Sequence, residues 1–308
     1  MNHRRSRIAP SPTGSLHLGN AFAFLVNWAI ARNKGWELIL RIEDLDGPRI
    51  KPETINETID ILAWLGIDWD GDVHIQSDEI QHAREILIDL IDNHLAYHCN
   101  LTRSELEEAS SAPHAKSKQL SEITRPKNIA THNTNIETAN KNWRFVSNNF
   151  ASSFQDELCG LQTFDNLQDF VIWTKNNIPS YQLAVVVDDQ RQGITDVVRG
   201  NDLLESAAWQ EQLYCAMNWN KPRWWHLPLI VGNDNKRLAK RHGDTRIVTY
   251  KKNGVKPDRI IGLIATWCGI QNYREPMNRD TFLNLFDIYK LPKSNIAYTN
   301  EDEKWLLD

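Results

Sequence analysis

The stretch RIAPSPTGSLHLGN, Arg7 to Asn20, runs directly into the apolar segment AFAFLVNWAIA. Its prolines and glycines make a rigid turn, and His17 and Gly19 stand where the apolar segment begins. A strand near Arg7–Ala9, the turn and a helix over Ala21–Asn33 form a strand–turn–helix unit. The first N–H groups of a helix lack intrahelical partners, and the helix dipole adds positive potential, so such a mouth favours an anion. Gly19 lets the backbone come close to a ligand, and His17 can donate to a phosphoryl oxygen. The same residues also suit a plain tight loop with an exposed histidine.

Working outward, Lys34-Gly35 is a helix stop, and WELILRIED reads as a buried parallel strand that ends in charge. Pro52 opens the next helix, whose Ile55, Ile59, Leu62 and Leu65 recur at helical spacing before Gly66 ends it. Ser77 is the predicted N-cap of a helix with an apolar stripe through Ile80, Ala83, Leu87, Leu90 and Ile91. Residues 102–141 are rich in Ser, Asn, Thr, Glu and Lys and read as a linker or loose insertion. Order returns at WRFV; YQLAVVVDD reads as a buried strand and GITDVVRG as a second one. A helix over Asp202–Trp219, a strand at WHLPLIV, the basic turn GNDNKRLAKRHGD and a helical tail complete the chain.

This pattern predicts an α/β fold: a doubly wound parallel sheet, split by an insertion, with a small helical C-terminal domain. The predicted division is 1–97 and 179–248 for the two halves of the sheet domain, 98–178 for the insertion and 249–308 for the helical domain. Within the insertion, 102–141 is expected to be loose or partly disordered.

With 41% hydrophobic and 24% charged residues, the composition is that of an ordinary soluble globular protein. A net charge of −5 argues against a general polyanion binder and leaves room for a local basic groove. The basic, then proline-rich N-terminus does not read as a signal peptide, and AFAFLVNWAIA is too short to span a bilayer and contains Asn27. Cys99, Cys159, Cys215 and Cys268 lie far apart without metal-ligand spacing, so a reduced, cytoplasmic compartment is expected.

Three further stretches carry candidate chemistry. KRLAKRHGD offers Lys236, Arg237, Lys240, Arg241 and, when protonated, His242; a basic loop of this kind can close over a triphosphate, or it can be a solvated charge run. Glu43 in RIED, at the carboxyl end of a buried strand, can bind an ammonium or a ribose, or pair with Arg41 or Arg49. Tyr181 and Arg199 can hold a small carboxylate, which matches the planar fork of a guanidinium, or form a structural pair.

In order and spacing these stretches resemble a known family. HLGN is similar to the HIGH motif of class I aminoacyl-tRNA synthetases and RLAKR to their KMSKS motif. RIAPSPTGSLHLGN, RIEDLD, YQLAVVVDD and VVRG narrow the resemblance to the glutamate-specific branch, over residues 4–100 and 143–248. The chain ends soon after its basic loop, with no anticodon-binding domain expected, and so resembles the short glutamyl-Q tRNA(Asp) synthetases of that branch.

The resemblance implies a class I Rossmann-like fold, ATP-dependent activation of L-glutamate with Mg²⁺, and transfer of glutamate to the queuosine base at the wobble position of tRNA(Asp). It implies a cytoplasmic monomer with no membrane partner. His17, Gly19, Lys240 and Arg237 match the catalytic motif positions. Arg7, Ala9, Ser11, Glu43, Tyr181 and Arg199 match the glutamate pocket, and Asp202, Leu229, Ile230 and Lys240 the nucleotide pocket. The residues alone do not divide the two carboxylates between the two arginines; Arg7 is expected to take the side-chain carboxylate.

Three departures stand out. Asn20 replaces the second histidine of HIGH, and Arg237 and Ala239 replace the first Lys and the Ser of KMSKS. Of the family's zinc knuckle Cys99 remains, but Leu101 takes the second cysteine position, and only His98, His114 and His132 are offered as substitutes. The metal site therefore reads as degenerate, and no zinc is expected. The alternatives are a truncated glutamyl-tRNA synthetase that charges a tRNA 3′ end, a catalytically silent RNA-binding paralogue, and a small-molecule adenylyltransferase of the same superfamily.

Overall fold

A computed structural model describes residues 3–45, 52–99, 125–129, 141–147, 153–165, 167–236, 238 and 244–308. Strand β1 (Arg5–Ile8) leads through the proline turn into helix α1 (Leu18–Lys34) and strand β2 (Glu37–Ile42). The helix starts earlier than its apolar run because His17 caps it and Asn20 completes a capping box. It stops at Gly35, whose φ of 63° is a left-handed cap, with Trp36 N–H donating to Ala31 C=O at 2.8 Å.

Helix α2 (Pro52–Trp64), strand β3 (His74–Ile75) and helix α3 (Ile80–Asp92) follow. Ser77 does not cap α3. It lies in a 3₁₀ turn over Gln76–Glu79, and its hydroxyl and backbone N–H both donate to Asp44, at 2.6 and 2.8 Å. The carboxylate after β2 competes successfully for the serine.

The middle of the chain is β-rich. Strands β4 (Ala96–Cys99), β5 (Asn142–Phe145) and β8 (Phe170–Trp173) form an antiparallel sheet in that order. Between them in sequence come β6 (Ser153–Asp156) and β7 (Gly160–Thr163). Most of 102–141, predicted to be loose, lies outside the described residues.

YQLAVVVDD, predicted as a strand, lies in helix α4 (Tyr181–Arg191). Leu183 through Asp189 are all buried, so the segment has no amphipathic stripe. A short helix buried on every side and a buried strand both read as an unbroken apolar run, and the valines tip the reading toward strand. Strand β9 (Asp196–Gly200), helix α5 (Leu204–Ala216) and strand β10 (Arg223–Leu227) complete the alternation. Strand β11 (Ile230–Val231) follows.

Helices α6 (Ile247–Lys252), α7 (Pro257–Trp267) and α8 (Arg279–Leu285) fill the tail, which ends in β12 (Ile296–Ala297) and α9 (Asn300–Leu307). The tail is thus not purely helical, because β12 pairs in parallel with β11.

Strand order places the site. β1, β2 and β3 are neighbours in parallel register, and β9, β10 and β6 likewise, with β7 antiparallel at the edge. β9 starts beside β1, where Thr195 N–H donates to Arg5 C=O at 2.9 Å and Arg4 pairs with Asp196. The chain therefore winds outward from β1, then returns to wind outward the other way from β9. Side chains alternate between two apolar cores: Leu38, Leu40, Ile42 and Val198 face the α1 side, and Ile39 and Val197 the α3–α4–α5 side. A crevice opens where such a winding reverses, at the carboxyl ends of β1 and β9.

Asn27, the polar residue in the apolar run, is buried under that crevice. Its amide donates to Arg7 C=O at 2.9 Å and accepts from Ser6 Oγ at 3.1 Å, fixing the end of β1. An Asn27→Ala variant should lose roughly 1–3 kcal/mol, because it strands a buried carbonyl and a buried hydroxyl. Urea unfolding checks this; a midpoint equal to wild type would show that the amide is dispensable.

Candidate active site

Above the carboxyl ends of β1 and β9 lies a cavity of about 1290 Å³. Arg7, Ala9, Ser11, Glu43, Tyr181 and Arg199 line it, as do His17, Gly19, Asp202, Leu229 and Ile230. Lys240 and Arg237 lie outside the described residues. The other residues matched to the catalytic, glutamate-pocket and nucleotide-pocket positions all line this one cavity; of the further basic-loop candidates, Arg241 and His242 lie outside the described residues and Lys236 is not part of the lining.

The pocket floor is ionic. Asp189, from α4, accepts from Arg7 Nε at 3.1 Å and from Arg41 at 2.7 Å. Arg41 also donates to Glu43 at 3.1 Å and to Gln192 at 2.8 Å. Burial alone would raise the Asp189 carboxyl, but Arg7 and Arg41 outweigh it and hold it below its ordinary value. The Glu43 pairing and the cavity-lining role offered as alternatives are both present: one oxygen meets Arg41 while the residue faces the cavity. Glu43 N–H also donates to Pro10 C=O at 3.0 Å, which pins the proline turn beside β2.

Arg199 is different. It is 7% exposed, and its hydrogen bonds go to His226 Nε2 (3.1 Å), the Tyr181 hydroxyl (3.4 Å) and Leu203 C=O (3.3 Å). Trp224 lies against it, 4.9 Å from ring centroid to guanidinium carbon. None of these is anionic, and among the described residues Arg199 has no carboxylate ion pair. Burial lowers its hold on the proton below that of an ordinary arginine, though it remains a cation. An anion entering beside Tyr181 would meet a buried cation already stripped of water, where attraction is strong.

At the other end of the cavity, His17 Nδ1 accepts from Gly19 N–H at 3.2 Å. The ring proton therefore sits on Nε2, the nitrogen that can donate. A Cβ on Gly19 would lie 3.2 Å from the His17 ring, and one on Gly200 would lie 2.6 Å from Asp202 Oδ1 and 2.8 Å from Leu229. A side chain at Gly19 would thus press on the His17 ring, and one at Gly200 would displace the ends of Asp202 and Leu229.

The ends of the basic loop are fastened here. Leu238 N–H donates to Ile230 C=O at 3.0 Å, Leu18 N–H to Thr245 C=O at 3.0 Å and Ile247 N–H to Leu16 C=O at 2.8 Å. Asp244 and Arg246, an ion pair on the rim, also line the cavity.

Sequence reasoning missed Asp189, Arg246 and Asn295. Asn295 Oδ1 accepts from Leu229 N–H at 3.0 Å and Asn201 Nδ2 at 3.1 Å, joining two walls from the tail. The VDD ending of the buried run signalled Asp189, since an acid inside an apolar segment needs a partner. Nothing local signalled Asn295. No group of three or more His, Cys, Asp or Glu residues suited to a metal occurs among the described residues. Cys99 is buried in a small cluster with Tyr97 and Val146.

Comparison with known proteins decides the family. The pattern of the tRNA synthetases class I (E and Q), catalytic domain, matches residues 4–305. The chain belongs to this family. It is accordingly a ligase of the class I aminoacyl-tRNA synthetase type, for which ATP is a substrate.

A glutamyl-Q tRNA(Asp) synthetase of Rhodopirellula baltica is 40% identical, over 86% of this chain and 84% of that protein. One of Symbiobacterium thermophilum is 35% identical over 96% of each. A glutamate–tRNA ligase of Thermodesulfovibrio yellowstonii is 35% identical over 98% of this chain, which spans 65% of that protein. Among solved structures, a glutamate tRNA ligase of Elizabethkingia meningosepticum in complex with its amino acid superposes with a TM-score of 0.81 at 26% identity, covering 99% of this chain and 69% of that one. The class I synthetase fold expected from the motifs is the fold observed.

Burial raises the Glu43 carboxyl above its ordinary 4.5, and Arg41 and Arg7 only partly offset it. Folding then takes up a proton as pH falls through this window, so ionised Glu43 costs stability at pH 7. Glu43→Gln should be at least as stable as wild type at pH 7, with the difference shrinking as pH falls toward 4.5 and gone well below it. Chemical denaturation across pH checks this; a variant less stable at pH 7 would mean that Glu43 is kept for the fold.

Proposed function

We propose that this enzyme activates L-glutamate with ATP to glutamyl-adenylate and transfers the glutamate to the queuosine base at the wobble position of tRNA(Asp). The observation that carries the amino-acid half is Arg199, a buried cation without a carboxylate of its own, across one cavity from Glu43 and Arg7. Two cations suit the two carboxylates of glutamate, and Glu43 suits its α-ammonium. Tyr181, Ser11 and Ala9 bound the same space. Glutamine would leave a guanidinium unmatched in a desolvated pocket, which gives selectivity. Support for the acceptor comes from the two glutamyl-Q relatives, which this chain matches over most of their length.

In the activation step a glutamate α-carboxylate oxygen attacks the α-phosphorus of ATP. The bond from that phosphorus to the bridging oxygen breaks, and pyrophosphate leaves with the electron pair. No covalent enzyme intermediate is required; positioning and charge stabilisation do the work. His17 Nε2–H and the α1 N-terminus bind phosphate, with Gly19 allowing close approach. Lys240, assisted by Arg237, neutralises the charge that develops on the leaving group, from a loop whose Leu238 is hydrogen-bonded to Ile230 and whose Asp244 lines the cavity. Asp202, Leu229 and Ile230 hold the nucleoside, and Mg²⁺ arrives with the ATP phosphates. On this reading residues 1–97 and 179–248 form the catalytic domain, 98–178 the insertion and 249–308 a stem-like domain. The enzyme works as a cytoplasmic monomer without zinc.

The test is glutamate-dependent ATP–pyrophosphate exchange without tRNA, followed by transfer of labelled glutamate to tRNA(Asp) with and without queuosine. Exchange without tRNA and transfer only to the queuosine-containing tRNA is the expected result. Exchange that begins only when tRNA(Glu) is added would instead favour 3′-end charging. Lys240→Ala should abolish exchange with the fold intact. Arg7→Ala should weaken glutamate activation far more than ATP binding, and equal losses would remove Arg7 from the amino-acid pocket.

A further inference from the structure

Asp156 and His226 stand behind Arg199, away from the cavity. His226 is on β10, next to β9, and Asp156 is on β6, from the segment that separates the two halves of the sheet. Both are at most 1% exposed. A guanidinium can only donate, so the 3.1 Å bond from Arg199 Nε–H requires a lone pair on His226 Nε2. The ring proton must then be on Nδ1, which lies 2.6 Å from Asp156 Oδ2. Asp156 is itself held by the backbone N–H groups of Leu158 (2.9 Å), Cys159 (2.8 Å) and His226 (3.2 Å). Each bond thus has one direction, from Arg199 to His226 to Asp156.

We propose that His226, fixed in its Nδ1–H tautomer by Asp156, is a positioning residue that aims the Arg199 cation at a substrate carboxylate. This rests on the glutamate reading above. The device answers a specific problem. A carboxylate placed directly on Arg199 would fix it but would neutralise the charge that the substrate needs. A neutral imidazole fixes it and leaves the charge unspent, with the compensating carboxylate one ring further away. Burial, with Arg199 beside it, outweighs Asp156 and holds the imidazole below its ordinary 6.5, so the ring is neutral at pH 7. Its Trp224 and Phe154 neighbours, at centroid distances of 6.1 and 6.3 Å, keep the ring plane in place. Strand β6 thereby brings the intervening segment into the amino-acid pocket at second hand, without touching the substrate.

The experiment compares wild type with His226→Phe, His226→Gln and Asp156→Asn. Phe keeps the aromatic packing and loses the acceptor. Gln can offer an oxygen near the Nε2 position. Asn can donate to Nδ1, which shifts the ring proton to Nε2 and sets donor against donor at Arg199. Steady-state pyrophosphate exchange should show the glutamate KM of His226→Phe and Asp156→Asn raised about tenfold or more, the scale of one hydrogen bond to a charged group. The ATP KM should stay within about twofold, and His226→Gln should recover part of the loss; thermal melting checks each fold.

Imidazole ¹⁵N spectra of the whole wild-type protein should show an Nδ1–H tautomer for His226 at neutral pH, lost in Asp156→Asn. A merely structural histidine would raise both KM values together. An unchanged glutamate KM in folded His226→Phe or Asp156→Asn, or an Nε2–H ring in wild type, overturns the positioning role. Lack of any glutamate-dependent exchange by wild type overturns the glutamate reading instead, whatever the tautomer.

Discussion

The carboxylate of Asp189 ties three elements together. It sits on α4 and accepts from Arg7 of β1 and Arg41 of β2, with Arg41 passing on to Glu43 at the end of β2. Arg7, Arg41 and Asp189 are each at most 3% exposed. Charges this deep are tolerable only when matched, and removing one partner of such a cluster is far more costly than never building it. The cluster therefore fixes how α4 lies on the sheet, and with it where Tyr181 and Glu43 face. Its satisfaction is incomplete: Asp189 Oδ2 and Arg41 Nε are buried with no hydrogen-bond partner among the described residues.

Against this paired floor, Arg199 is the guanidinium that no carboxylate meets among the described residues. Asp189 answers both Arg7 and Arg41, whereas Arg199 is held by a ring nitrogen, a hydroxyl and a carbonyl. The cavity is thus polarised before any ligand enters. One end has a buried cation and an acid, which suit the two kinds of charge an amino acid carries. The other has a histidine-capped helix mouth and the fastened ends of a basic loop. Donors fixed in advance cost no reorganisation at the moment charge develops. The C-terminal segment contributes to the same end, since β12 pairs with β11 and Asn295 braces Leu229 and Asn201.

Much of this was legible in the sequence. Features that depend on a few neighbouring residues were read directly: the proline turn, the stop at Gly35, the Pro52 start, the apolar run of WELILRIED that ends in charge. Motif order placed His17, Gly19, Glu43, Tyr181 and Arg199 in one site, and all of them line one cavity. Where local reading failed, a distant partner had intervened. Ser77 gave up its cap to Asp44, and α4 lost its amphipathic signature because it is buried on all sides. Lys240 and Arg237 lie outside the described residues, so their motif match alone places them.

By itself the sequence determined the fold class, the winding of the sheet and the chemistry on offer, because hydrophobic period, caps and turn residues act within a few positions of themselves. Only the tertiary structure decided which charge answers which. Asp189 meets Arg7 across 182 residues, and His226 meets Asp156 across 70. Those separations carry no periodic signal. The partners meet because β1 and β9 lie side by side and β10 pairs with β6, and burial then forces each charged group to find its complement or to wait for a ligand.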